Sequence, residues 1–527
     1  MAPEMISLIT IQLRRSAAAL VLVLTVGCQP ARLDDRNGEW IGTLPRRDTG
    51  FDRRTWQDTS DNVVRQLLER LPDRIESASE HRLARNLLIS ITDAPRGDED
   101  SGEFLALRVD ELMRLGNVGD AAALARAARN PPRDEAGAQR EIEAELLAGN
   151  VEMACIDLRA LAAKSSTRWV EDGLTSCRAR AGEPGVMLPS DTDKLGALAR
   201  IGGAALPADA PSDDPIGTRI AYLVAVGNDP KVPAARRLEA AFAAARASAL
   251  GGEAYAKILR SAPVRGQALS GEPPASGEQA ASLFQAIDQS ADPGRKLALA
   301  ERGLLSPDGA VDGVSAAMAV PLRTVKPEPV LAAFAARFAA YFYAAGDLKA
   351  ATPWADLAAR SGLDTAVWPY RALLKPPGSG ELAKWEKRAR LDPGRQERIV
   401  AILSAFGIGA PERSSEASGP GQDDVQEINK AAAQQHVGET TLRALAILGR
   451  GGPAGASPQT LHHVLGALDR VNLHDEARAL AFEAITAVVL VRPSPHKGEV
   501  GASNTSASLG RSWRETGPRA ATVEPAG

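Results

Sequence analysis

The residues best equipped for chemistry are the three cysteines, Cys28, Cys155 and Cys177. A thiol can accept a lipid, ligate a metal, act as a nucleophile or join a disulfide, and its surroundings decide which. Two helices are predicted around the second and third, from about 151 to 163 and from about 169 to 181, with Lys164–Arg168 as the turn. Val151, Cys155, Leu158 and Ala162 fall at i, i+4, i+7 and i+11, and Val170, Leu174, Cys177 and Ala181 repeat that spacing. Each cysteine therefore lies on the apolar stripe of its helix. Cys155 stands nine positions before Lys164 and Cys177 nine after Arg168. In an antiparallel hairpin, equal distances from the turn bring the two side chains to one level, near bonding range. The alternative is a pair of buried free thiols, ordinary core residues in a reducing compartment.

Other chemistry is thinly represented. The chain has no His-Glu-x-x-His, Walker A loop, Gly-x-Ser-x-Gly or Cys-x-x-Cys, so no catalytic residue and no metal or cofactor site is expected. Of the six histidines, His462 and His463 are adjacent and point to different faces of a predicted helix, and His463 reads as surface or groove lining. Glu141 and Glu145 share one helical face at i, i+4 and read as a solvated surface rather than an acid–base pair. Trp354 and Trp368 would line a groove or, as large apolar residues, belong to the core. A formal charge of -4 over 527 residues gives no sign of the clustered Lys/Arg face that nucleic acid requires.

The N-terminus carries an address. Arg14 and Arg15 precede Ser16–Gly27, an apolar stretch of 12 residues. That length suits a signal peptide and is too short to span a bilayer. The run ends Leu24-Thr25-Val26-Gly27-Cys28 and resembles the lipobox of bacterial lipoproteins. The resemblance implies that Cys28 receives the lipid, with Gly27 as the small residue before it; Thr25 stands where that family usually has Leu. The alternative is an ordinary secretory signal cut nearby. Gln29, rather than Asp, follows Cys28, and the resemblance then implies an outer-membrane lipoprotein on the periplasmic side. An oxidising compartment in turn favours the Cys155–Cys177 bridge.

The elements that position these residues read as helices throughout. Aromatics are scarce at 4% and alanine supplies much of the 44% hydrophobic content, a composition that favours closely packed helices. Gly116, Gly149 and Gly182 recur every 33 residues, followed by Asn117 and Asn150 in the first two copies, and Gly346-Asp347 repeats the pair. Glycine ends one helix in the left-handed conformation and Asn or Asp opens the next. Ala121, Ala154, Ala351 and Ala477 share one offset within these units, where small residues let paired helices approach. The pattern resembles the tetratricopeptide (TPR) repeat over 104–182, and less fully over 331–364 and 461–486. The layout is also similar to uncharacterised bacterial envelope proteins labelled antifreeze glycopeptide polyprotein; no tandem Ala-Ala-Thr repeat is present to give that label meaning.

The expected architecture is an all-α, curved α-solenoid of TPR-like helical hairpins. Its divisions are a signal peptide (1–27), a tether (28–57), N-terminal repeats with the disulfide (58–183), a helical segment with Pro/Gly-rich linkers (184–277), middle repeats (278–410), a linker (411–426), a C-terminal repeat (427–486) and a disordered tail (487–527). The expected function is that of a non-enzymatic, lipid-tethered envelope scaffold or adaptor binding a protein or peptide. The alternatives are a peptidoglycan-related enzyme or accessory subunit and a self-assembling structural protein.

Overall fold

Alanine-rich runs broken by Gly, Asn and Pro dictate short helices with sharp stops, and a computed structural model of the chain is built of them. It describes residues 42–97, 101–127, 135–181, 183–184, 186, 216–228, 232–263, 273–304, 310–409 and 422–490. These belong to one compact unit, Ile41–Gly527. Among the described residues there is no β-strand, only two isolated bridges, Leu44 with Ser90 and Ser60 with Arg96. The all-α reading stands.

The helices are α1 (Asp61–Glu69), α2 (Ala78–Ile89), α3 (Ser101–Arg114), α4 (Val118–Ala127), α5 (Glu135–Leu147), α6 (Val151–Ala162) and α7 (Arg168–Arg180). Then come α8 (Ile216–Asn228), α9 (Ala234–Arg246), α10 (Gly252–Ser261), α11 (Gly277–Gln289), α12 (Pro293–Ala300) and α13 (Gly313–Ala319). The remainder are α14 (Ala332–Ala344), α15 (Leu348–Arg360), α16 (Asp364–Leu374), α17 (Glu381–Ala389), α18 (Pro393–Ala405), α19 (Gln422–Ala433), α20 (Val437–Leu448), α21 (Pro458–Arg470) and α22 (His474–Leu490).

Chain neighbours pair as hairpins: α3 with α4, α5 with α6, α8 with α9, α14 with α15, α19 with α20 and α21 with α22. Small residues sit where helices must approach. Ala121, Ala154, Ala351, Ala358, Ala477 and Ala484 are all buried. Contact also runs far beyond neighbours. Helix α22 packs on α2, α14, α16 and α18, and α20 packs on α1 and α2. In an open stack each repeat touches only the adjacent ones; here the last hairpins cover the first.

Two expected boundaries are corrected. The tether expected at 28–57 is folded over its described part, 42–57. Residues Arg46–Thr49 make a helical turn ended by Gly50 at φ 84°, and Arg53–Trp56 make a 3-10 turn. Phe51 and Trp56 are buried, so two aromatics in a polar run suffice to anchor it. The tail was placed at 487–527, but α22 continues through Leu490 and Val488 is buried. Residues 491–527 lie outside the described residues, as do 411–421 of the expected linker.

Close backbone contact makes one glycine indispensable. A Cβ on Gly313 would lie 2.2 Å from the Leu250 carbonyl oxygen and 2.8 Å from that of Ala245. Neither oxygen can rotate away. Gly313→Ala is therefore expected to cost about 2 kcal/mol through overpacking, read as a lower urea midpoint at an unchanged slope.

Candidate functional site

Helices α6 and α7 carry the two described cysteines. The helix bounds fall within a residue of the predicted ones. Cys155 and Cys177 lie at disulfide distance, Sγ to Sγ 1.96 Å and Cα to Cα 5.8 Å. The hairpin closes tightly here because Gly173 faces Leu158, whose Cδ2 is 2.5 Å from where a Cβ would sit. Cys155 is buried and Cys177 half-buried. Cys28, with Thr25, Gly27 and Gln29, lies outside the described residues.

The repeat turns take one form. Gly116, Gly149 and Gly346 have φ of 82°, 84° and 75°. At each, the glycine N–H donates three residues back and the following N–H five residues back: Gly116 to Met113 and Asn117 to Leu112, Gly149 to Leu146 and Asn150 to Glu145, Gly346 to Tyr343 and Asp347 to Phe342. This is the Schellman helix stop. Asn472, at φ 64°, replaces glycine in the C-terminal copy and makes the same pair with Leu473. Gln435, at φ 60°, does so before α20, a copy that glycine spacing could not reveal. Gly182 lies outside the described residues.

Glu145 corrects an expectation. It is buried rather than solvated, accepts from Asn150 Nδ2 at 2.6 Å and pairs with Arg126 at 2.8 Å. It therefore braces the Gly149 turn. Glu141 is half-buried and its carboxyl is raised to about 6 by burial and by the neighbouring Asp157 and Glu145. His463 is half-buried, with Nδ1 3.1 Å from Asn429 Nδ2, and packs edge-to-face on His462. Trp354 is core, 5.5 Å from Phe338, and Trp368 stacks on buried Trp385. Among the described residues no three His, Cys, Asp or Glu side chains could hold one metal ion.

Titratable side chains from distant parts of the chain converge at the seam between α2 and α22. Ser77 caps α2, its Oγ accepting from the Glu80 N–H at 3.1 Å. Glu483 of α22 takes Ser77 Oγ–H at 2.8 Å and Ser79 Oγ–H at 2.5 Å on Oε2, and the Val311 N–H at 3.4 Å on Oε1. Glu80 and Glu483 are both fully buried. Glu483 has its donors, whereas neither carboxyl oxygen of Glu80 has a hydrogen-bond partner. Burial, reinforced by the Glu483 charge, holds the Glu80 carboxyl well above the ordinary carboxylate range. Above the seam, Arg82 is exposed, yet crowding by the protein lowers its pKa against the pull of Glu483 and Glu476. Its Nη1 lies 3.6 Å from the point a Cβ on Gly346 would occupy.

Sequence reading missed this seam. Glu80 and Glu483 are 403 positions apart; Glu80 sits among polar residues that look surface-bound, and Glu483 interrupts an apolar run, Ala479–Ile485. The local signals are that lone acid and Ser77-x-x-Glu80, the pattern of a capping box, in which the glutamate would reach back to the cap; here the Glu80 carboxyl does not.

No protein-family model matches the chain, and neither does any curated protein or any solved structure.

Proposed function

We propose that the chain is a cell-envelope scaffold, tethered by lipid on Cys28 at the periplasmic side of the outer membrane. Its TPR-like hairpins, stacked as a solenoid whose ends are joined, would present helical faces to a protein or peptide. The observation that supports the compartment is the Cys155–Cys177 pair at bonding distance, since disulfides persist in oxidising environments. Support for a binding role comes from α6, where Met153 and Ile156 expose apolar side chains one turn apart beside that pair. Stacked hairpins make an extended binding surface without catalytic groups. Among the described residues no helix is long and apolar enough to cross a membrane, so the tether assigned to Cys28 is what would hold them there.

The test is metabolic labelling with radioactive palmitate in a bacterial host. The full chain should take up label and sediment with membranes. Cys28→Ala should do neither, with its α-helical circular dichroism unchanged. An unlabelled wild-type chain that fractionates like Cys28→Ala overturns the lipid tether. In-cell crosslinking then asks for the partner: a single foreign protein supports the adaptor, and only self-adducts point to self-assembly.

A further inference from the structure

The α2–α22 seam buries two carboxyl groups in unlike surroundings. Glu80 comes from the first part of the described chain and Glu483 from its last helix, and both carboxyls are buried. Only one is provided for. Hydroxyls of Ser77 and Ser79 and the N–H groups of Ser79 and Val311 all donate to Glu483. These donors favour a charge at that position and pull against burial, which still holds the Glu483 carboxyl above the ordinary range. Nothing donates to Glu80. Its Oε2 instead points to the backbone of Gly452, 2.8 Å from where a Cβ would sit.

The surrounding cations are committed elsewhere. On the Glu76 side, Arg450 and Arg74 pair with Glu76, and Arg246 pairs with Asp312, the cap of α13. From α3, Arg108 donates to the Leu88 and Ser90 carbonyls at the far end of α2, and Arg114 binds Glu111. On α20, Arg443 pairs with Glu439, as does His436, the residue that opens the helix. His81 turns away to the Leu115 carbonyl. From α22 itself, Glu483 and Glu476 are the acids, and exposed Arg82 lies toward them. A second negative charge at Glu80 would thus stand in a dry seam beside the first with no counter-charge.

We propose that Glu80 is a proton-operated latch: neutral, it lets α22 close on α2, and ionised, it drives the seam open. The sign follows from the raised folded-state pKa. The contribution to closure is complete at pH below the ordinary glutamate value and is lost as pH rises through the folded value. The seam should therefore loosen toward alkaline pH while hairpins such as α6–α7, which lie outside it, stay closed.

Hydrogen exchange of the full chain, followed by mass spectrometry and corrected for intrinsic rates, tests this at about pH 6 and about pH 8.5. Protection along α2 and α22 should fall by about tenfold or more in the wild type. In Glu80→Gln and Glu80→Met it should change by no more than roughly twofold, because neither side chain can ionise. Methionine covers the case in which a buried amide fails to fold. The proposal is overturned by pH-independent protection in the wild type, by a pH effect that survives both substitutions, or by a loss spread evenly over all helices. Failure of both variants to fold overturns it too, since a neutral side chain is what the closed seam is held to need.

Discussion

Replacing Trp56 by alanine is expected to remove about 3–5 kcal/mol of stability, the range for emptying a large aromatic site. The indole is 1% exposed and meets Phe104 of α3 edge-on, with ring centroids 5.5 Å apart. On its other side α20 comes so near that a Cβ on Gly438 would lie 2.3 Å from the ring. The void left by alanine is thus bounded by two helices that are far apart in sequence and cannot both move in. Urea denaturation should show a lower midpoint with an unchanged slope. Val330→Ala is the control: that side chain is 82% exposed, and its loss should fall within about 0.5 kcal/mol of wild type. If Trp56→Ala also stayed within about 1 kcal/mol, the folding of residues 42–57 onto α3 and α20 would be wrong.

Removing the bridge with Cys155→Ala and Cys177→Ala together should cost roughly 3 kcal/mol, because the link closes a 22-residue separation in the unfolded chain. Dithiothreitol should destabilise the wild type by a similar amount and leave the double variant unchanged. Peptide mapping without reduction should recover the two cysteines in one linked species. Alkylation of both in the native, unreduced protein would sink the assignment and, with it, the support it lends to an envelope location.

What was legible in the sequence is what local rules govern. The α6–α7 hairpin follows from apolar stripes at i, i+4, i+7 and i+11 and an inter-helix turn, so the level of its cysteines is set by the sequence alone. The Gly116, Gly149 and Gly346 turns follow from the single conformation that ends a helix there. Where Asn472 and Gln435 adopt that conformation, no glycine marks it, and the Gln435 copy went unread. Residues 42–57 were misread because a polar composition outweighed Phe51 and Trp56, and the partners of Trp56 lie in other helices. Glu145 was misread because helical spacing cannot say which face of a solvent-rich pattern another helix will cover. The seam was invisible for a stronger reason: its order is set by pairings such as Ser77 with Glu483 and Val311 with Glu483, which no local window contains.

The joining of α2 to α22 also sets a schedule. As the chain emerges N-terminus first into the compartment where it folds, α2 appears early and its covering helix last, with roughly four hundred residues between them. Hairpins such as α5–α6 can form as soon as they emerge, but Ser77, Ser79 and Glu80 must wait, unburied, for residue 483. Pairings of such long separation are slow to close, and the waiting surface is where a chaperone would be needed or a misfold would begin.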